Sequence, residues 1–472
     1  MKARLYRPSG AMDVLRWPVL GRALRWRWSR LVAQTILLLV AAVMVYDGFT
    51  GDSLAAANLS TILSWVEYRG LILLALLFAG NLFCFACPFA LLRTIGGRLS
   101  LRGPRWPRLL RTKWLSIGAL AIIFWLYEWV DLWATPWLTA VVILGYFVLS
   151  FGLEAIFRES PFCKWLCPLG AFNFSYSTLS PLRIQARSAQ VCHTCQGKEC
   201  VRGSARVAGC GTELYVPAMR TNMDCTLCLD CVRACPYDNI ALGGSGGPRQ
   251  LLDRRLAGGW ARATLLVSLA FMGLANAFGM VPPAAAVDAW MASVGLQNEG
   301  LRLLVLFLLG TVVLPAAMVG FLARTSAWVS GLPMKAAAHA ARFAPAFVPM
   351  GIGIWLAHYG FHFAIGALTL VPATQAFLRD HGWDFAGLPN WALGPILPAE
   401  WIFPIQVAAV SFGFLAAITV LARASLQGSR EPMRALAGLL PWAIALALVT
   451  VAALWVFTLP MQPRGGPLGG PP

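Results

Sequence analysis

Nine apolar runs, most of them about 20 residues long, account for much of this sequence. A helix of that length crosses the ~30 Å hydrocarbon core of a bilayer. Only 12% of the residues are charged, which is about half the share found in soluble domains. The pattern predicts a polytopic α-helical membrane protein with about nine transmembrane helices, at residues 31–48, 70–90, 114–132, 137–157, 262–281, 301–323, 343–370, 400–424 and 436–459.

The basic residues are distributed unevenly among the segments that separate these runs. The first thirty residues contain eight Lys and Arg side chains and one acid, and segment 93–113 contains seven and no acid. Segments 49–68 and 282–300, on the opposite side by alternation, contain acids and no Lys or Arg. Basic residues concentrate on the cytoplasmic side, so we expect a bacterial cytoplasmic (inner) membrane, with the N-terminus in the cytoplasm. The net charge of +18 then reflects orientation and not nucleic-acid binding, for which the basic residues would form one patch.

One long hydrophilic block, residues 158–261, interrupts the membrane pattern, and alternation places it in the cytoplasm. Ten of the twelve cysteines lie in this block. A reducing compartment disfavours structural disulfides and favours metal-binding or catalytic thiols. We therefore expect a basic cytoplasmic N-terminus, a membrane domain of four spans, a cytoplasmic module, a membrane domain of five spans and a disordered Pro/Gly tail, at 1–30, 31–157, 158–261, 262–459 and 460–472.

Two cysteine motifs within the block have the spacing of iron–sulfur ligands. Residues 225–236 read C-x2-C-x2-C-x3-C-P, in which three thiolates bind one [4Fe–4S] cube and the fourth binds the partner cluster. A zinc site would use two separated pairs instead. Residues 192–210 form a looser motif, C-x2-C-x4-C-x9-C. The crossover rule predicts a two-cluster ferredoxin-like module with two [4Fe–4S] clusters, cluster I on Cys192, Cys195, Cys200 and Cys235, and cluster II on Cys210, Cys225, Cys228 and Cys231.

Two further cysteine pairs, each followed by proline, lie where apolar runs end. They read Cys84-Phe-Ala-Cys87-Pro and Cys163-Lys-Trp-Leu-Cys167-Pro. The predicted topology places both pairs at the cytoplasmic ends of the second and fourth spans. Together they offer four thiolates, enough for a third metal or iron–sulfur centre. Thiol/disulfide redox chemistry and simple packing are the alternatives, and the sequence does not choose among the three.

Membrane spans that bear such C-x2/3-C-P pairs and precede a cytoplasmic two-cluster ferredoxin resemble the NapH/NosR-type polytopic membrane ferredoxins, or polyferredoxins. The resemblance covers roughly residues 60–240 and is carried by the cysteine motifs. It implies quinol-linked or ferredoxin-linked electron transfer that serves a periplasmic reductase or the assembly of a metallocentre. The sequence departs from the family in two respects. Only two residues separate Cys84 from Cys87, where the family usually has three, and five spans follow the module.

Two histidines lie within one predicted span of the second membrane domain. His358 and His362 are four residues apart and therefore share one helical face. Ionisable groups inside a span are costly and often mark a site or a pathway. A quinone or proton site, a metal site, and hydrogen bonds to neighbouring helices are all open. Haem is disfavoured, because no other predicted span supplies an opposing histidine. Glu154, near the inner end of the fourth span, is a further candidate for proton exchange with a quinol.

Together these features predict a membrane-bound iron–sulfur protein that passes electrons between a quinol pool or cytoplasmic donor and a respiratory or periplasmic redox partner. A quinol dehydrogenase-type oxidoreductase component would fit this description. Two alternatives are a metal-reducing factor for metalloenzyme assembly and a redox-sensing transporter. The scarcity of charges in the last five spans argues against transport. The expected partners are the lipid bilayer, a quinone or soluble electron donor, and a redox protein.

Overall fold

Most of the chain is helical in the computed structural model, which describes residues 12–92, 103–157, 160–205, 207–244, 248–427 and 431–462. In these residues, eight helices are long and apolar enough to cross a membrane, and Trp114–Trp129 is apolar but shorter. The expectation of a polytopic helical membrane protein is thereby confirmed in outline. Segment 93–102 and most of the predicted tail lie outside the described residues. The eight helices are Ser29–Thr50, Leu59–Phe78, Pro136–Ile156, Trp260–Phe278, Glu299–Ser330, Ala336–Asp380, Ala399–Leu426 and Pro432–Thr458.

The second membrane helix lies earlier in the chain than the apolar pattern predicts. It is Leu59–Phe78, whereas the prediction was 70–90. Two side chains cap its start: Asn58 accepts a hydrogen bond from the second amide of the helix at 2.9 Å, and Asp47 accepts one from the first at 2.6 Å. A cap of this kind stabilises a helix by about 1 kcal/mol. Gly80, with a φ of +80°, follows the end of the helix and turns the chain.

Because the second membrane helix starts earlier than predicted, two ionisable residues lie buried within it. Glu67, which was expected in an outside segment, and the nearby Arg69 are 7% and 6% exposed. His339, which lies between the predicted spans 301–323 and 343–370, is also buried in a helix, where its Nδ1 lies 2.8 Å from the Ser326 hydroxyl. The apolar runs therefore identify the helices well but do not show which polar residues the helices contain.

Shorter helices and one small sheet occupy the stretches between the membrane helices. The strand β1 (Leu182–Ala186) pairs with β2 (Ile240–Gly244) in antiparallel orientation, with Ala186 opposite Ile240. The two strands are separated by most of the cysteine-rich block, so their pairing closes that block into a loop. The shorter helices are Leu20–Arg25, Leu82–Ala86, Pro168–Tyr176, Ala189–Thr194, Glu199–Arg202, Asp230–Ala234 and Pro282–Ser293.

The described residues form two compact units. The first is drawn from residues up to 39, from 74–116 and from 146–256. The second is drawn from 40–73, from 117–145 and from residue 257 onward. All twelve cysteines belong to the first unit, and both histidines predicted in one span belong to the second. The domain boundaries proposed from the sequence stay predictions.

The first unit has a hydrophobic core that joins the N-terminal segment to the cysteine-rich block. Val14 and Leu15 pack in one cluster with Ile184 of β1, Leu242 of β2 and Phe85. Several of the cysteines contact the same cluster, so apolar side chains shield their sulfur atoms. Two ion pairs, of 2.9 and 2.7 Å, attach the N-terminal segment to the block, namely Asp13–Arg187 and Arg30–Asp230. The N-terminal segment therefore contributes an acid to one pair and a base to the other.

In the second unit, glycine residues allow two membrane helices to approach closely. Gly353 lies in Phe347–Gly366, which packs against Ala399–Leu426. A Cβ atom added at Gly353 would lie 2.7 Å from the Ala409 carbonyl oxygen, and 3.1 Å from the Cα atom of Gly413. Close contacts between small residues hold helices together by packing in a membrane, where the hydrophobic effect between helices is weak.

Gly353→Ala is expected to destabilise the second unit, because the added methyl group meets backbone atoms that cannot rotate away. Overpacking typically costs about 1–3 kcal/mol. The matched control is Gly360→Ala on the same helix, where an added Cβ meets no atom within 4 Å. Thermal unfolding in detergent should give a lower midpoint for the Gly353 variant only. A Gly353 variant as stable as the control would contradict the prediction.

Candidate functional site

The twelve cysteines are spread over residues 84–235 and divide into three groups of four whose thiols lie near one another. None of them forms a disulfide. Within each group the thiols interact electrostatically with one another. These are the sets that the sequence singles out, and their binding of iron stays a prediction. We call them quartet I (Cys192, Cys195, Cys200, Cys235), quartet II (Cys210, Cys225, Cys228, Cys231) and quartet III (Cys84, Cys87, Cys163, Cys167).

Quartet I joins two chain segments that the sheet brings together. Cys192 follows β1 and Cys235 precedes β2, so antiparallel pairing of the strands returns the second segment to the first. Asn239 links the two cysteines: its side-chain amide donates to Cys192 Sγ at 3.1 Å, and its backbone amide donates to Cys235 Sγ at 3.4 Å. Burial is the main cause that raises the pKa of the Cys200 thiol to about 11.

Quartet II consists of a tight loop, residues 225–231, and of Cys210 from the upstream motif. Leu227 and Leu229 have φ values of +52° and +59°. A non-glycine residue in this left-handed region costs about 1–3 kcal/mol, and such residues cluster where a ligand is clamped. Burial raises the pKa of the Cys225 thiol, and the backbone amide of Leu227 counters part of this rise by hydrogen bonding. The loop is therefore strained in a way that directs amides towards sulfur.

Quartet III contains the two cysteine pairs that precede prolines. Cys163 lies in a π-helical turn, and Cys167 is the N-cap of the next helix, whose first residue is the proline. The Gly170 amide donates to Cys167 Sγ at 3.2 Å. A Cβ at Gly170 would lie 2.7 Å from the Cys163 carbonyl oxygen, so glycine alone fits there. The side-chain amide of Asn173 donates to Cys84 Sγ at 3.6 Å.

The chemistry of these donor sets fits iron–sulfur clusters. Four thiolates are the usual ligands of a [4Fe–4S] cube, and N–H donors to sulfur, as at Cys192, Cys225 and Cys167, tune its potential. Within the part of the chain that the structure describes, no group of three or more His, Cys, Asp or Glu side chains is placed to hold a single metal ion. A cube does not require such a group, because each thiolate binds a different iron.

Incorporation of iron into the apoprotein is expected to improve as the pH rises. Burial raises the pKa of Cys192, Cys228 and Cys231, and that of Cys200 to about 11, so these thiols keep their protons at neutral pH. A thiol must lose its proton to bind metal, and protons therefore compete with iron. Anaerobic reconstitution should incorporate more iron at about pH 9 than at about pH 7. A yield that stays flat or falls, with the protein still folded, would contradict this prediction.

The two histidines predicted in one span lie on the helix Phe347–Gly366 of the second unit. Both are buried, and their ring centroids are 5.0 Å apart. His358 Nε2 lies 3.0 Å from Asn276 Oδ1, a contact typical of polar residues that join membrane helices. Glu154 is buried in the first unit. The site roles of His358, His362 and Glu154 stay predictions.

His362 lines a cavity of the second unit together with aromatic residues and one arginine. The Arg69 guanidinium lies over the rings of Trp65, Tyr127 and Tyr359, at 4.8, 4.4 and 4.6 Å from their centroids. It also donates a hydrogen bond to the Tyr127 hydroxyl at 3.0 Å. Aromatic faces stabilise a desolvated cation by about 2 kcal/mol. The lining residues are Ala55, Thr61, Ile62, Trp65, Val66, Arg69, Tyr127, Trp133 and His362.

The sequence patterns do not indicate Arg69 or Asn239. Arg69 lies between the predicted outside segment 49–68 and the predicted span 70–90, so neither contains it. A charged residue beside an apolar run is commonly interfacial, and only the earlier start of the helix shows that this one is buried. Asn239 comes four residues after Cys235, and its position beside a cysteine motif was a weak signal of a role near sulfur.

A comparison with known proteins finds similarity over part of the chain. A stretch of 122 residues, 25% of this chain, is 29% identical to 31% of the protein named "Putative electron transport protein YccM" from Escherichia coli (strain K12). The match thus spans about a third of that relative's length. No family model matches the chain. No solved structure matches it significantly.

Proposed function

We propose that the protein is a membrane-bound iron–sulfur electron-transfer protein. The observation that carries this proposal is the gathering of twelve buried or half-buried thiols into three quartets within one unit. The name of the relative, an electron transport protein, supports a general role in electron transfer. The eight membrane-spanning helices make it a multi-pass membrane protein. Basic residues concentrated near the N-terminus support a cytoplasmic location for that end, in a bacterial inner membrane.

Quartets I and II would each hold one [4Fe–4S] cluster, and quartet III would hold a third metal or iron–sulfur centre. Such clusters supply one-electron transfer at potentials that depend on hydrogen bonds to sulfur and on burial. This chain provides both hydrogen bonds to sulfur and burial. Asn239, Leu227 and Gly170 direct N–H groups at the sulfur atoms of quartets I, II and III respectively. Cys167, Cys228 and Cys231 are buried, and the other nine cysteines are partly buried.

The electron donor would be a quinol from the membrane or a soluble cytoplasmic protein, and the acceptor a respiratory or periplasmic redox protein. The cavity that contains Arg69 and His362 is the place we propose for the quinol; its volume of about 10 Å³ holds about one water molecule, so the surrounding side chains must move to admit a quinone ring. Its lining consists of aromatic side chains and N–H donors, which are the groups that a quinone ring and its oxygens contact. Glu154, in the first unit, is the second candidate for proton exchange with a quinol.

Anaerobic reconstitution with iron and sulfide tests the proposal. Two [4Fe–4S] clusters would give about eight iron atoms and eight sulfides per chain, and reduction should produce two interacting EPR signals. Iron beyond this amount would come from quartet III. The double variant Cys84→Ser/Cys163→Ser should remove that excess and leave the two signals unchanged. Stoichiometric zinc without labile sulfide would overturn the proposal, and iron unaffected by the double variant would leave only thiol chemistry or packing for quartet III.

A further inference from the structure

Hydrogen bonds within the first unit make quartets II and III neighbours. Asn81, three residues before Cys84, donates from its side-chain amide to the Cys225 carbonyl oxygen at 2.9 Å. A second link starts from Lys164, the residue after Cys163, whose Nζ donates to the Thr212 carbonyl oxygen at 2.7 Å. Thr212 in turn places its hydroxyl 3.4 Å from the Sγ atom of Cys210. Each cysteine pair of quartet III is therefore tied to a different part of quartet II.

A buried lysine, Lys113, makes a third link between the same two quartets. Its Nζ lies 2.6 Å from Asp224 Oδ1 and donates to the Lys164 carbonyl oxygen at 2.6 Å. Asp224 directly precedes Cys225, and Lys164 directly follows Cys163. The side chains of the ion pair are 1% and 3% exposed, so water screens their charges little. One ammonium group thus contacts the chain beside a cysteine of each quartet.

We propose that Lys113 is a positioning residue for electron transfer between quartets II and III. Lys113 holds the two quartets together and raises the reduction potential of the centre at quartet II. This inference rests on the proposed function. The exchange concerns one electron: the centre at one quartet loses it, the centre at the other gains it, and no covalent bond forms or breaks. Lys113 and Asp224 contribute only charge and geometry to this exchange.

The charges of the pair predict opposite effects of its two members. A positive charge near a cluster stabilises the reduced form, which is the more negative one, and a negative charge destabilises it. Removal of the Lys113 charge leaves the Asp224 carboxylate unbalanced beside Cys225 and should lower the potential. Removal of the carboxylate leaves the ammonium unbalanced and should raise the potential. A side chain that served packing alone would not produce shifts of opposite sign.

Redox titration of the reconstituted full-length protein, monitored by EPR, tests this inference. Lys113→Met should make reduction of the centre at quartet II about tenfold less favourable, a fall of about 59 mV for one electron. Asp224→Asn should raise the potential, and the double variant Lys113→Met/Asp224→Asn should lie close to wild type. Lys113→Arg, which keeps the charge, should retain most of the wild-type potential. Iron and sulfide contents of each variant show that the centres are loaded.

The matched control is Lys198→Met, which removes an exposed lysine from the loop of quartet I. Its effect on the potential at quartet II should be negligible, because water screens the exposed charge. Equal potentials for wild type, Lys113→Met and Asp224→Asn would overturn the inference, and so would shifts of the same sign. If Lys113→Met does not fold, an unchanged potential in Asp224→Asn is sufficient to overturn the inference. A shifted potential at quartet II without a third centre at quartet III would support the effect of the charges and reject electron transfer between the two quartets. The absence of any cluster would reject the proposed function.

Discussion

Cys235→Ser is expected to abolish the cluster at quartet I and to spare the cluster at quartet II, although Cys235 belongs by sequence to the motif of quartet II. In the structure Cys235 lies with Cys192, and Asn239 donates a hydrogen bond to each of them. A serine hydroxyl is a poor substitute for a thiolate ligand, so about four iron atoms per chain should be lost. EPR of the reduced protein should then show one isolated signal in place of two interacting ones.

Two companion variants make this a test of the crossover itself. Cys195→Ser, in the upstream motif, should leave the same residual EPR spectrum as Cys235→Ser, because both remove a ligand of quartet I. Cys231 lies only four residues before Cys235 but belongs to quartet II. Cys231→Ser should therefore leave the EPR spectrum of the cluster at quartet I. If the residual spectrum of Cys235→Ser instead matched that of Cys231→Ser, the assignment of ligands to the two quartets would be wrong.

Arg69→Met should abolish most quinol-driven reduction of the clusters while leaving the clusters themselves intact. The Arg69 guanidinium is the cationic hydrogen-bond donor of the cavity, and it is 6% exposed. A hydrogen bond from a charged group contributes about 1.5–3 kcal/mol, which corresponds to a loss of roughly ten- to hundredfold in the rate at limiting quinol. The measurement is cluster reduction by a quinol analogue in liposomes, followed by absorbance under anaerobic conditions.

Dithionite reduction of the same sample provides the internal control, because it needs no quinol site and should proceed as in wild type. Arg379→Met is the matched variant: it removes an arginine of the second unit that is 42% exposed and that pairs only loosely with Asp384, at 3.7 Å. Its quinol-driven rate should equal that of wild type. Wild-type rates in Arg69→Met would exclude this cavity as the quinol site and would favour a soluble electron donor.

The apolar runs predicted most of the membrane helices, because a helix in a bilayer must be predominantly apolar. They failed at the second span. Its first residues are mixed in polarity, and the start depends on the caps supplied by Asn58 and by the distant Asp47. The predicted span of 70–90 instead included Gly80 and the short helix that contains Cys84. Hydropathy alone cannot detect a cap from another helix.

The assignment of cysteines to quartets is a prediction from the motifs, and its basis is local as well. Spacing of two or three residues sets which thiols point the same way, and the proline after each motif limits the next turn. The partners of the sulfur atoms were not predictable in this manner. Asn239 reaches Cys192 only because β1 and β2 pair, and Asn173 reaches Cys84 from a segment 89 residues away.

Local sequence thus identifies several helices long and apolar enough to cross a membrane, and it predicts that the thiols act in sets of four. Both properties follow from composition and spacing within short stretches. Tertiary contacts alone decide which charges are buried and what they touch, as with Lys113 beside Asp224 and Arg69 among aromatic rings. A buried charge is tolerated only where distant residues supply its partners, and no local pattern records that these partners meet.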